Sequence, residues 1–303
     1  MRLLALILAL VLPSHASADT GLEVTQVADG VYAIVGPYGQ RDAENLGNNA
    51  TFGLIVGETG AILIDAGGSY NGAKALHDSI LTVTDLPVTY VINTGGQDHR
   101  WIGNSYWFEQ GAEIIASNDA VTDQRARVSM QETILSTLLG DAVEGTNPSW
   151  AGTTFDSTYA LELDGMTVEI HHAGAAHTPG DSFVWLPDHS VMFTGDIVYI
   201  GRILGVMEFS SSREWLSTFE AMAAYEPQHI IPGHGPATDL ATARRDSYDY
   251  LVNLRSRMAD HIDNGGDIIG SVDVDQSAFA YLNSFEQLAG RNAQEVYSQM
   301  EWE

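Results

Sequence analysis

The chain has 303 residues, 45% of them hydrophobic and 17% charged, a balance that supports a packed core rather than disorder. It contains no cysteine, which excludes disulfides, iron–sulfur clusters, a thiolate nucleophile and Cys-ligated zinc. Thirteen Lys+Arg against 40 Asp+Glu give a formal net charge of −27, which argues against binding nucleic acid or an anionic membrane surface.

The first residues read as a processing segment. Met1-Arg2 is a short positive start, residues 3–12 are an unbroken apolar run, Pro13 breaks it, and Ala16-Ser17-Ala18 is a small-x-small cleavage signature. The run is shorter than the roughly 20 residues a membrane helix needs. The expectation is a signal peptide over 1–18 and a periplasmic or secreted chain over 19–303, with no stable membrane anchor after cleavage.

Beyond it the pattern is β with interleaved helices. Segments 22–27 and 31–35 flank Asp29-Gly30, and 50–56 and 61–65 flank Glu58-Thr59-Gly60, two hairpin signals. After Gly67-Gly68, the spacing of Ala73, Leu76, Ile80 and Val83 predicts a helix. Segments 88–92 and 113–116 read as strands, and Asn118 is placed to cap a long helix reaching toward Leu139. A Gly/Asn/Pro loop follows over 140–153.

The second half repeats the style. Segments 159–163 and 166–171 flank Asp164-Gly165, strands follow at 183–186 and 191–194, a helix at 215–223, and a short strand at 229–231. From about Thr238 the chain reads as almost all helix. Two β-rich halves, each followed by helices and with no linker between them, predict one α/β domain of two sheets packed face to face with helices outside.

Polar motifs sit just after the strand-like runs. Asp65 closes one, and Thr94-Gly95-Gly96-Gln97-Asp98-His99-Arg100 follows another. His177-Thr178-Pro179-Gly180-Asp181, Gly195-Asp196 and Pro232-Gly233-His234-Gly235 complete the set. Side chains at strand ends converge at one edge of a sheet. Three imidazoles and a carboxylate gathered there suit zinc, iron or manganese.

His-Thr-Pro-Gly-Asp at 177–181, Thr-Gly-Asp at 194–196 and Pro-Gly-His-Gly at 232–235 resemble the later metal motifs of the metallo-β-lactamase-fold superfamily. Asp65 before Gly67-Gly68 matches its first motif, and the resemblance runs over roughly residues 22–240. It implies a four-layer αβ/βα sandwich with a metal site at the sheet edges. The secreted context and helical tail are similar to periplasmic members encoded with sulfur-oxidation and quinoprotein systems.

The family's central motif is His-x-His-x-Asp-His. Counted without gaps, Gly95 and Gln97 hold the two leading His positions, His99 the Asp position and Arg100 the last His position. A one-residue slip aligns Asp98-His99 with the family's Asp-His but needs a compensating residue before Gly103. Either way the first metal position loses two imidazoles.

The expectation is therefore one divalent metal, zinc first, with iron or manganese fitting the same donors. His99, Asp196 and His234 are candidate ligands, with His177 a fourth ligand or a nearby base. Gln97 or Asp98 would complete the shell or hold water. Asp98 is the nearby carboxylate that could act as general base. Arg100 would either clamp an anionic group of a small-molecule substrate or replace the charge of the missing metal. Asp65 reads as structural. His171 and His172 point to opposite faces of a strand and cannot share a metal.

Two functions follow. One is a periplasmic metallo-hydrolase acting on an ester, thioester, lactam or similar bond. The other is a non-hydrolytic binding or accessory protein with a degenerate metal site, serving a periplasmic redox or sulfur system.

Overall fold

The structure is a computed structural model that describes residues 20–303. The expected signal peptide, residues 1–18, lies outside the described residues. Seven strands form the first sheet in sequential order: β1 (Glu23–Ala28), β2 (Val31–Val35), β3 (Thr51–Val56), β4 (Ala61–Ile64), β5 (Val88–Asn93), β6 (Glu113–Ser117) and β7 (Thr153–Phe155). The first four strands pair antiparallel and the rest parallel. The change follows from the connections. Short turns join β1 to β2 and β3 to β4, a longer loop joins β2 to β3, and α1 (Tyr70–Ile80) is the crossover between β4 and the parallel β5.

The second sheet has the order β12-β11-β10-β9-β8. Its strands are β8 (Thr158–Leu163), β9 (Met166–His171), β10 (Phe183–Leu186), β11 (Val191–Phe193) and β12 (His229–Ile231). Only β11 and β12 pair in parallel, joined by a crossover containing α5 (Ser212–Ala223).

Alternation along each strand decides which core a side chain enters. In β4, Ile62 and Ile64 face the second sheet, where they meet Val168, Val184, Val191 and Phe193. Ala61 and Leu63 face the other way, onto Leu76 and Ile80 of α1 and Trp107 of α3 (Asn104–Glu109). In the second sheet, Met192 and Ile230 face Trp215 and Phe219 of α5, together with Leu254 of α7 (Asp249–Asp263) and Val296 of α8 (Phe285–Met300). The layers run helix, sheet, sheet, helix, and the fold is the expected four-layer αβ/βα arrangement with C-terminal helices.

Local differences from the sequence reading have local causes. The long helix α4 (Asn118–Leu139) is capped by Ser117, not Asn118: the Ser117 hydroxyl accepts from the Ala120 amide at 3.0 Å. α5 starts at Ser212 because Ser211 accepts from the Glu214 amide. The loop expected after β5 contains a single helical turn, α2 (Asp98–Trp101). The tail opens with α6 (Leu240–Ala243), runs through a π-helical stretch at Arg244–Tyr248 into α7, and reaches α8 after short 3-10 turns.

Candidate metal centre

The strand ends deliver the polar motifs to one rim of the two sheets. On α2 successive residues are about 100° apart, so Asp98, His99 and Arg100 fan out in three directions. His99 turns toward Asp196 and His234. Ligand atoms of these three residues lie within 4.8 Å of one another, and all three are buried. The imidazoles of His99 and His234 stand nearly perpendicular, at 86° with centroids 5.1 Å apart. His99 Nε2 is 3.3 Å from Asp196 Oδ2, and His234 Nε2 is 3.2 Å from Asp196 Oδ1.

The donor chemistry fits a first-row divalent cation. Neither ring nitrogen of the buried His99 makes a well-aligned hydrogen bond; Nδ1 and Nε2 lie 3.3 Å from Asp98 Oδ1 and Asp196 Oδ2 respectively, so the ring is only loosely engaged. His234 Nδ1 lies 2.9 Å from the Asn49 carbonyl and 3.2 Å from Arg202 Nη1. With Nδ1–H donating to the carbonyl, Nε2 carries the lone pair. Burial pulls the pKa of His234 well below its ordinary value, so the ring is neutral at neutral pH. Tyr199 stacks on it, with centroids 4.5 Å apart.

His177 lines the same pocket but is not one of the three clustered ligands. Its Nδ1 donates to the Gly205 carbonyl at 2.9 Å, which leaves the lone pair on Nε2. Burial pulls its pKa down to about 4. It is therefore a neutral imidazole beside the cluster.

Arg100 does not clamp a substrate. It is fully buried, and all five of its donors are used within the protein. Nε donates to Asp196 Oδ2 at 3.1 Å and Nη2 to Asp196 Oδ1 at 2.6 Å. Nη1 donates to Asp65 Oδ2 at 2.8 Å and to the Thr51 carbonyl at 3.1 Å, and Nη2 also donates to the Gly233 carbonyl at 2.8 Å. Of the two roles open to it in the sequence, the geometry supports the fixed internal cation. Burial alone would raise the pKa of Asp196, but Arg100 and the adjoining imidazoles outweigh it and hold this carboxyl well below the usual range.

Asp98 is corrected in the same way. Burial would raise it, yet Arg41 Nη1 donates to its Oδ1 at 2.6 Å, the His99 amide donates to the same oxygen at 2.8 Å, and its pKa falls well below the ordinary carboxylate value. A carboxylate held so firmly ionised is a poor general base near neutrality. Asp65 is structural, accepting from the Thr94 amide at 2.7 Å as well as from Arg100, with a left-handed φ of 69°.

The two glycines ahead of Gln97 are packed closely against carboxylates. A Cβ on Gly95 would overlap Asp181 Oδ1, and one on Gly96 would overlap Asp123 Oδ2. Asp181 is fixed in that place by the Thr178 amide at 2.9 Å and by the Thr178 hydroxyl. Gln97 offers a buried, unpartnered Oε1 to the pocket wall.

The sequence reading missed three cations. Arg41, Arg202 and Arg291 line the pocket together with His99, His177 and His234. The signal available was scarcity: in a chain with 13 Lys+Arg, any grouping of arginines at one place is notable.

Residues 102–234 match the family model described as Metallo-beta-lactamase superfamily. The matched stretch begins just after Arg100 and contains His177, Asp196 and His234. The chain is 27% identical over 192 residues to a metallo-beta-lactamase type 2 from Bacillus sp. (strain 170), covering 62% of this chain and 67% of that protein. It is 26% identical over 85 residues to a metallo-beta-lactamase type 2 from Bacteroides fragilis, covering 27% of this chain and 34% of the relative. This chain thus spans about a third of the length of one of these curated relatives and two thirds of the other. Among solved structures it resembles the stereoselective inverting sec-alkylsulfatase Pisa1 from Pseudomonas sp., with a TM-score of 0.71 and 14% identity, over 92% of this chain and 50% of that one. In its two-sheet sandwich, its motif order and the matched stretch, the chain is similar to the metallo-beta-lactamase superfamily and shares its fold.

Proposed function

We propose that the chain is a metal-dependent hydrolase with one divalent cation, zinc first, held by His99, Asp196 and His234. The carrying observation is the buried cluster itself, in which ligand atoms of His99, Asp196 and His234 lie within 4.8 Å of one another. A cation bound there would supply Lewis-acid polarisation of the scissile bond and water activation near neutral pH. The chain's own residues do the rest. Arg100 fixes the orientation of Asp196 through both oxygens. His177, neutral and oriented by the Gly205 carbonyl, offers a hydrogen-bond acceptor beside the cluster. The bond class is an ester, thioester, lactam or a similar bond. The leader-like residues 1–18 support a periplasmic or secreted site of action. No helix among the described residues is long and apolar enough to cross a membrane.

The accessory-protein reading has its own support, because Arg100 already neutralises Asp196 from within. Elemental analysis of protein purified without chelator separates the two. About one equivalent of metal, lost in His234→Ala, together with turnover of a chromogenic ester, thioester or lactam, supports the hydrolase. Metal-free protein from metal-replete cells supports the accessory role.

A further inference from the structure

We propose that the pocket over His99 and His234 seats an oxyanion group of its ligand (a carboxylate, sulfate or phosphate) on Arg202 and Arg291, with Arg41 at its edge. This names the substrate class of the site described above and rests on that site being a substrate pocket. The chain carries 40 Asp+Glu against 13 Lys+Arg. Its surface field is therefore negative overall, and an anionic ligand needs a local reversal of sign to approach. The pocket supplies it: three arginines line it, and no aspartate or glutamate does.

The three arginines are not equivalent. Arg41 is partly spent, since its Nη1 is paired with Asp98 at 2.6 Å. Arg202 makes no ion pair among the described residues; its Nη1 reaches His234 Nδ1 at 3.2 Å and its Nε is buried without a partner. Arg291, on α8, is exposed at the mouth and also makes no ion pair among the described residues. A half-buried guanidinium without a carboxylate partner is costly to keep, and its planar fork of donors matches an oxyanion. The cavity holds about 120 Å³. That is below the roughly 300–1,000 Å³ of a pocket enclosing a drug-sized molecule. It suits a small charged head group with the remainder of the ligand outside.

The chemistry is shared by three kinds of head group, and the probes separate them. Inorganic sulfate, inorganic phosphate and acetate are titrated into the full chain by calorimetry, in chloride buffer at fixed ionic strength, with metal content measured for each sample. At least one of the three is expected to bind at a single site. Arg202→Gln and Arg291→Gln each weaken that binding by about tenfold or more, the loss of a charge-assisted donor, with metal content unchanged in Arg291→Gln. Because Arg291 touches none of the clustered ligands, its variant reads the seat without disturbing the metal group. Binding that survives both substitutions but vanishes with chelator places the anion on the metal and overturns the proposal, as does the absence of binding by all three probes. Arginine-dependent binding with no turnover of any test substrate leaves the seat standing and removes the hydrolase reading instead.

Discussion

Arg100 clasps both oxygens of Asp196, Nη2 to Oδ1 at 2.6 Å and Nε to Oδ2 at 3.1 Å, from the position that the ungapped count sets against the last His of the motif it resembles. The same guanidinium also binds Asp65, so one cation compensates two buried carboxylates. Removing it would strand both. Arg100→Met should cost about 3–5 kcal/mol, the range for breaking a buried pair by deleting one partner. Arg100→Lys should fall between, because an ammonium keeps the charge but cannot form the fork. Urea unfolding midpoints of the two variants check this; a wild-type midpoint for the methionine variant would show that the clasp contributes nothing to folding.

Gly95→His restores the family's residue on paper but not its metal position. The new Cβ overlaps Asp181 Oδ1, and Asp181 can withdraw only by giving up its bonds to Thr178. Even with Gln97→His added, metal content should stay at or below one equivalent, and the unfolding midpoint should fall. Two tightly bound equivalents would show that the site relaxes where the packing says it cannot.

The three clustered residues and His177 should separate as ligands and neighbour. His99→Ala and His234→Ala each remove a donor from the group whose atoms lie within 4.8 Å, and should abolish stoichiometric metal. His177→Ala, outside that group, should cost no more than about 10–100-fold in affinity, as an outer partner does. Metal affinity measured with a competing chromophoric chelator decides it, and equal losses for all three would make His177 a ligand.

How far the site could be read ahead depended on how local each determinant was. The hairpin at Asp29-Gly30 and the helix marked by Ala73, Leu76 and Ile80 are written in adjacent residues, and both stand where periodicity puts them. His177, Asp196 and His234 carry their own Gly and Pro neighbours, so their motifs announce themselves. Which of its two roles Arg100 takes was not legible, because its acceptors lie 35 and 96 residues away and only the folded sheets bring them together. The helical turn at Asp98–Trp101 hid behind Gly95-Gly96, which reads as loop. The arginine seat was hidden for the same reason, since Arg41, Arg202 and Arg291 come from three distant segments. Arg291 and Leu288 also show that the C-terminal helical tail contributes to the pocket wall.

Asp181 gives the fold a pH dependence of defined sign. Burial, reinforced by the charge of Asp196, pushes its carboxyl up to about 8 against an ordinary value of 3.8. Between those values the folded chain holds a proton that the unfolded chain has released, so this group's contribution is fully present below about pH 4 and is lost as pH rises through about 8. Asp181→Asn mimics the protonated acid: its oxygen can accept from the Thr178 amide as Asp181 does now, while its amide group faces the Thr178 hydroxyl as a donor, the direction a protonated carboxyl would take there. The variant should match the parent chain in acid and surpass it above pH 8. Urea midpoints measured with chelator present, at half-unit steps from pH 5 to pH 9, should show a decline in the parent chain that Asp181→Asn flattens. Parallel curves for the two proteins would mean that Asp181 is ionised throughout, with Thr178 and its other donors sufficient to hold the bare carboxylate.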